Sequence, residues 1–146
     1  NIDTDLELML PDDYVSSTEE RLSLYQKLAD IQNAIDLSKF ENELKDRFGD
    51  LPSEAINLLK SVELKWLAAE IGFDKLVVKN KVFLGYFPAN PQDKFYQSDK
   101  FKKIIAYLTQ NPKEATLKEK NNQLMMRKDN VKNVDEVNLV LNRILA

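Results

Sequence analysis

Near the start of the chain, leucine occupies every second position. Leu6, Leu8 and Leu10 take every second position and Pro11 follows them, which predicts an opening strand that ends at the proline. Beyond the proline, apolar residues recur every three or four positions, a spacing that predicts amphipathic helices. The chain therefore changes from a strand period to a helix period close to its beginning.

Three helices are predicted next, each with a start or stop signal. The first begins at the capping box Ser17-Thr18-Glu19-Glu20, whose serine hydroxyl caps the first turn while the fourth residue reaches back. The second begins near Leu37 and ends at Gly49, because glycine enters the left-handed C-cap conformation at low cost. The third begins at Pro52 and ends at Gly72. The inward-facing residues are predicted to be Leu22, Tyr25, Leu28 and Ala29 in the first helix, Leu37, Phe40, Leu44 and Phe48 in the second, and Ile56, Leu59, Val62, Trp66 and Leu67 in the third.

Two β-hairpins, each followed by a helix, are predicted in the rest of the chain. Their strands are rich in apolar residues and are separated by asparagine, a residue that tolerates turn conformations. The predicted strand pairs are 73–79 with 81–87 and 116–120 with 123–128, and the helices run over 98–110 and from the cap Asn133 onward. The sequence thus predicts one α+β domain over residues 1–146: an opening strand and three helices, then two β-hairpins each followed by a helix.

The residue types that are absent limit the chemistry of this chain. It has 146 residues, no histidine, no cysteine and three widely spaced glycines. These absences remove the usual general base, the Ser-His-Asp triad, most zinc sites, disulfides and Gly-rich phosphate loops. Asp5 and Glu7 alternate with leucines and fit the solvated face of a strand better than a catalytic pair. We therefore expect no catalysis, metal or cofactor in this chain itself, with an unrecognised hydrolase as a distant alternative.

The absence of cysteine and of any long apolar run also bears on location. No apolar run approaches the ~20 residues that a membrane-crossing helix needs. A chain without cysteine fits a reducing compartment, so we expect a cytoplasmic location and no membrane contact. The alternating segment begins at the first residue, which predicts that the chain is part of a longer protein.

Charge is distributed unevenly along the sequence. Residues 1–90 contain 10 Lys/Arg and 17 Asp/Glu, a balance of −7, and residues 91–146 contain 11 and 7, a balance of +4. The acidic part argues against strong DNA binding, since phosphate contacts need surplus positive charge. The basic part leaves an alternative function open, that of a nucleic-acid- or polymerase-contacting module. Its candidate lysines are Lys94, Lys100, Lys102, Lys103, Lys113, Lys118 and Lys120.

The outer face of the second predicted helix is the most distinctive acidic feature. Asn42, Glu43 and Asp46 lie about opposite its apolar stripe, and Asp50 follows Gly49. Six acids and three bases lie between residues 36 and 54, a balance of −3. A cluster of this kind is usually a solvated face, so the pattern alone does not establish a binding site.

The order of motifs resembles the C-terminal domain of the bacterial transcription-repair coupling factor family. The resemblance is carried by Leu10-Pro11-Asp12-Asp13-Tyr14-Val15, by a helix containing 21–29, and by Asp46-Arg47-Phe48-Gly49-Asp50-Leu51-Pro52 before a long helix that ends at Gly72. The residue identities match over roughly residues 4–75. In the remainder, the match is in the order and length of the predicted elements.

The resemblance implies a role in transcription-coupled DNA repair. Its parent would be an ATP-driven, helicase-like DNA translocase whose motor, with ATP and magnesium, lies outside this chain. The parent would push stalled RNA polymerase off DNA damage and recruit UvrA. In the family, this domain covers the N-terminal UvrA-binding module of the same protein, an autoinhibition that lasts until polymerase is engaged. Glu43 and Asp46 would face arginines on that module, and Asn42 and Asp50 would lie beside them.

Overall fold

The structure, a computed structural model, describes residues 2–146, in which the chain forms five α-helices and five β-strands. Contacts divide the chain into two compact units. We call residues 7–63 the helical unit, and residues 2–6 with 64–146 the sheet unit; the division falls inside one continuous helix.

The elements are β1 (Ile2–Thr4), α1 (Thr18–Ala29), α2 (Ala34–Phe48), α3 (Ser53–Ile71), β2 (Lys75–Lys79), β3 (Val82–Tyr86), α4 (Asp99–Gln110), β4 (Thr116–Lys120), β5 (Gln123–Lys128) and α5 (Val134–Leu145), with a 3₁₀ turn at Lys94–Gln97 before α4.

The helical unit begins each of its first two helices with a side-chain cap. Ser17 accepts a hydrogen bond from the backbone N–H of Glu20, as predicted, and Asn33 accepts one from the N–H of Asp36. Because Asn33 caps α2, this helix begins three residues before the predicted start at Leu37. The core of the unit combines residues of all three helices with two from the preceding loop: Leu10, Val15, Leu24, Leu28, Phe40, Leu44, Ala55 and Leu59.

Two details of this unit differ from the sequence prediction. The opening strand is wrong in place, because the strand is Ile2–Thr4 and the segment 6–10 joins no ladder. Exposure still alternates there, but the N–H of Leu10 donates to the Tyr25 hydroxyl (2.7 Å) and the N–H of Met9 to the Glu54 carbonyl (3.3 Å). These bonds to helices replace strand pairing. The inward assignments of Leu22 (58% exposed), Ile56 (44% exposed) and the exposed Ala29 are also wrong.

The sheet unit contains one five-stranded sheet in the order β1-β2-β3-β5-β4. β1 pairs with β2 in parallel, and the other neighbours are antiparallel. Both hairpins turn through two residues with positive φ, Asn80-Lys81 and Asn121-Asn122, the geometry of a type I′ turn. Both predicted hairpins, and the helix after each, are therefore confirmed, as is the α+β class.

One face of this sheet is buried and packs against aromatic side chains. Leu76, Val78, Phe83 and Met126 on this face are at most 5% exposed. The ring of Phe73 lies 5.9 Å from that of Phe83, and Phe87 connects this contact to the rings of Phe95 and Phe101. The predicted inward residues of α5, Val137, Val140, Leu141 and Ile144, are all buried.

No helix within residues 2–146 is both long and apolar enough to cross a membrane.

Candidate partner-binding surface

The predicted site residues lie at the C-terminal half of α2 and just beyond it, all within the helical unit. Phe40 and Leu44 on the opposite side of α2 are 2% and 0% exposed, so the register of the helix is fixed by burial. Asn42 and Asp46 are four residues apart, which places them on one exposed face about 6 Å apart along the axis. Asp50 is exposed after the Gly49 turn. The structure therefore brings three of the four predicted residues to one end of the outer surface.

Glu43, the fourth predicted residue, has a different environment. Its side chain is 31% exposed, and its carboxylate receives the Lys27 ammonium of α1 at 2.5 Å and the Arg47 guanidinium at 3.4 Å. The prediction that Glu43 shares the exposed outer face with Asn42 and Asp46 is therefore wrong for Glu43. Glu43 belongs to the flank of α2 that meets α1, where its charge is already compensated.

Arg47 is the centre of the polar link between α1 and α2. Besides Glu43, it pairs with Glu20 of α1, and its guanidinium carbon lies 4.8 Å from the centre of the Phe48 ring. Exposed ion pairs are each worth little, typically below about 1 kcal/mol, but Arg47 combines two of them with a cation–π contact. The link adds polar contacts to the apolar packing of α1 on α2.

The remaining acids of α2 divide into paired and unpaired groups. Asp36 accepts from its cap Asn33, and Glu41 pairs with Lys45 at 3.0 Å. Within residues 2–146, neither Asp46 nor Asp50 has an ion pair or a hydrogen bond to its carboxylate. On α2, Asp46 is thus the acid whose carboxylate has neither an ion pair nor a hydrogen bond within residues 2–146.

Tyr14 fixes the turn that carries Asp50. Its hydroxyl donates to the carbonyls of Leu44 (3.2 Å) and Gly49 (2.7 Å), and its ring lies 5.7 Å from that of Phe48. Burial raises the pKa of the Tyr14 phenol, and the nearby Asp50 carboxylate raises it further. Gly49 has φ +90° and ψ −167°, a conformation nearly restricted to glycine. The signature residues before Pro52 therefore form a defined end of α2, and the exposed Asp50 follows it.

The arrangement suits recognition of cationic side chains. A carboxylate can receive a planar guanidinium through two parallel hydrogen bonds, and an adjacent amide such as that of Asn42 can add a third acceptor. Within residues 2–146, no group of three or more His, Cys, Asp or Glu side chains is placed to hold a metal ion.

The lysines of the alternative function are spread over several elements of the sheet unit. Lys100, Lys102 and Lys103 are exposed on α4, and the Lys103 ammonium donates to the carbonyl of Leu145. The aromatic residues between them are used in packing: Phe95 and Phe101 lie 5.3 Å apart, centre to centre. Lys94 lies on the 3₁₀ turn, Lys113 on the loop after α4, and Lys118 and Lys120 on β4.

Comparison with known proteins identifies the family. The model of the TRCF domain matches residues 4–98, well over half of the chain. The chain belongs to the TRCF domain family. It is 30% identical over 142 residues to the transcription-repair-coupling factor of Rickettsia prowazekii, covering 97% of this chain and 12% of that protein. The Rickettsia bellii protein of the same name is 32% identical over 77% of this chain and 10% of its own length.

A solved structure supports the fold in the same way. A crystal structure of the C-terminal domain of a transcription-repair coupling factor is similar with a TM-score of 0.79 and 19% identity, covering 99% of this chain and 91% of that chain. The chain thus spans about an eighth or less of the two relatives and nearly all of that solved domain.

Proposed function

We propose that this chain is the autoinhibitory C-terminal domain of a transcription-repair coupling factor and that it docks on an arginine-bearing surface of the parent's N-terminal module. In this proposal the docked domain covers the surface that recruits UvrA until the parent engages RNA polymerase. The translocase motor, with its ATP and magnesium, would lie elsewhere in the parent. Membership of the TRCF domain family supports this placement.

The single observation that supports the docking surface is the unpaired carboxylate of Asp46. Every other acid of α2 has a partner within the described structure, and Asp46 lies beside Asn42 on an exposed face. A solvated charge costs nothing in the free domain. At a contact from which water is partly excluded, it would favour a partner with arginine and oppose one with acids.

Residues around Asp46 add to the same surface. Ile35 is 70% exposed and lies on the face of α2 that carries Asn42 and Asp46, within about 40° of both around the helix axis. Asp50 extends the acidic end. Glu43 would contribute indirectly, by holding Lys27 and Arg47 so that α1 and α2 keep their relative direction.

The test is a charge reversal in the full-length parent. Asp46→Lys should leave the domain folded, because the side chain is exposed and unpaired and such substitutions usually change stability by about 0.5 kcal/mol or less. It should make the parent bind UvrA at least about tenfold more tightly in the absence of polymerase, since like charges would then meet at the contact. ATP hydrolysis should also rise.

A matched control and a rescue sharpen this test. Glu7→Lys reverses another exposed acid of the helical unit, outside both α2 and the segment around Tyr14 that packs on it, and should leave UvrA binding unchanged. Reversing a partner arginine to glutamate should restore masking in the Asp46→Lys parent. If the Asp46→Lys parent folds and binds UvrA no better than the Glu7→Lys parent, the proposed masking contact is excluded.

A further inference from the structure

The second face of the sheet has an ordered arrangement of apolar and cationic side chains. Side chains along a strand alternate between the two faces of the sheet. Leu76, Val78 and the residues opposite them on the neighbouring strands lie on the buried face. The residues that alternate with these along each strand lie on the second face. On this other face, the register aligns Lys75 with Tyr86, Tyr86 with Met125, and Met125 with Lys118. At about 4.8 Å between strands, the two lysines lie roughly 14 Å apart across an apolar middle.

The neighbouring row continues the apolar centre, but its one cation lies on an interior strand. Val77 lies opposite Leu84, and Leu84 lies opposite Arg127. At the centre of the face Val77, Leu84 and Tyr86 are half-buried and Met125 is buried, whereas the cations around them are exposed. The whole face, which we call the cationic sheet face, comprises Lys75, Val77, Lys79, Val82, Leu84, Tyr86, Met125, Arg127, Thr116, Lys118, Lys120 and Gln123.

The positive charge of this face is only partly compensated. Lys79 pairs with Asp3 at 2.9 Å, and Arg127 pairs with Asp129 at 2.9 Å. Among the described residues, Lys118 and Lys120 form no ion pair, and the Lys75 ammonium lies 5.5 Å from the centre of the Tyr86 ring. The face therefore presents more positive than negative charge around its apolar centre.

Protection of a sheet edge does not explain this pattern. Lysines on an edge strand discourage pairing with other chains, and β4 is an edge strand, so Lys118 and Lys120 fit that role. Lys75 and Arg127, however, lie on β2 and β5, which are interior strands of the sheet. A cationic rim that crosses interior strands instead has the anatomy of a recognition surface, with an apolar core and a polar border.

The composition of the centre favours a protein partner over nucleic acid. Single-stranded nucleic acid is held by bases that stack on free aromatic rings. Tyr86 is the aromatic residue of this face, and the Lys75 ammonium is positioned over its ring. Valine, leucine and methionine side chains pack against aliphatic or aromatic side chains of a protein, and the cations around them select carboxylates.

We propose that the cationic sheet face is a docking surface for an acidic amphipathic protein segment. The segment's apolar residues contact Val77, Leu84 and Tyr86, and its carboxylates contact Lys75, Lys118 and Lys120. This interaction is independent of the contact at Asp46, because it uses a different unit and the opposite charge.

Titrations of the 146-residue chain test the proposal with three probes. The first is a synthetic amphipathic helix of roughly four turns with leucine on one face and glutamate on the other. The second has lysine in place of glutamate, and the third is a short oligothymidylate. We expect the acidic peptide alone to bind, with an affinity that falls as salt rises, and to shift the amide resonances of residues 75–86 and 116–127.

Matched variants locate the binding. Lys118→Glu/Lys120→Glu and, separately, Leu84→Ser should each weaken the acidic peptide at least about tenfold. Lys100→Glu/Lys113→Glu makes the same change of charge at exposed positions off this face and should have no more than a twofold effect. The proposal is overturned if the acidic peptide does not bind, if both charge variants weaken it equally, or if the oligothymidylate binds this face more tightly.

Discussion

The helical unit and the sheet unit carry opposite net charge and use their charged residues differently. Residues 7–63 contain 6 Lys/Arg and 13 Asp/Glu, a balance of −7, whereas residues 1–6 with 64–146 contain 15 and 11, a balance of +4. In the helical unit, Lys27, Lys45 and Arg47 are all paired with acids of α1 or α2. In the sheet unit, the strand register instead gathers cations on one face.

This difference affects how an exposed charge can be interpreted. Where neighbouring charges are paired within the fold, as on α2, a single uncompensated carboxylate such as Asp46 stands out. In the sheet unit, the arrangement of the charges around an apolar centre is more informative than any one of them. A charged residue becomes evidence of recognition only after its contacts inside the fold have been accounted for.

The glycines that end α2 and α3 allow the packing of the two units to be compared. Both have positive φ, +90° at Gly49 and +106° at Gly72. A Cβ at Gly49 would meet nothing within 4 Å, whereas one at Gly72 would lie 2.6 Å from the Phe95 ring. We expect Gly72→Ala to lower the free energy of unfolding by about 3 kcal/mol, since ring displacement adds to backbone strain.

The same substitution at Gly49 is the control for this prediction. Gly49→Ala should cost only the backbone strain, about 1–2 kcal/mol. Urea denaturation followed by circular dichroism measures both. Equal losses would contradict the view that the close approach of the Phe95 ring to Gly72, which has no counterpart at Gly49, stabilises the end of α3.

Glu114 provides a smaller, pH-dependent comparison, because in the sheet unit it forms a polar link of the kind found between α1 and α2. Its carboxylate accepts from the Tyr107 hydroxyl (2.7 Å) and from Arg143 of α5 (2.7 Å). The Tyr107 hydrogen bond and the Arg143 charge hold the pKa of Glu114 below its ordinary value of 4.5, against the opposing effect of burial. The link therefore stabilises the fold above pH 4.5 and loses this contribution as pH falls through the lower pKa of the folded state.

Glu114→Gln removes this titration. The variant should be less stable than the wild type at about pH 6, and the difference should shrink as the pH approaches about 3. Urea midpoints across this range measure the effect. A difference that stayed constant with pH would mean that the Glu114 charge contributes nothing to the folded state.

Local signals in the sequence predicted most elements of the fold. The caps at Ser17 and Asn133 and the glycine stop at Gly49 depend on neighbouring residues, and all three are confirmed in position, although Gly49 has ψ −167° instead of the predicted left-handed C-cap conformation. The joining of two hairpins and β1 into one sheet depends on distant pairing and was not predicted. Leu22 was misplaced because helical spacing gives a face but not the element that covers it.

The candidate surface was predictable only in part, because it also depends on contacts between residues that are distant in the sequence. Periodicity places both Glu43 and Asp46 away from the apolar stripe of α2. The difference between them arises from Lys27, sixteen residues from Glu43 in the sequence and brought to it by the packing of α1 on α2. No pattern within α2 contains that information, although the i, i+4 spacing of Glu43 and Arg47 indicated one of the two pairs.

The central claim is that Asp46 recognises the partner, whereas Glu43 supports the fold. Titration of the separately purified N-terminal module of the parent with the wild-type chain, Asp46→Asn and Glu43→Gln tests it directly. We predict that Asp46→Asn keeps the wild-type urea midpoint but binds the module at least about tenfold more weakly, a loss of roughly 1.4 kcal/mol. Glu43→Gln should lower the urea midpoint and bind within about threefold of the wild type, since surface ion pairs are worth less than about 1 kcal/mol. The opposite pattern, with binding lost in Glu43→Gln and retained in Asp46→Asn, would contradict the account.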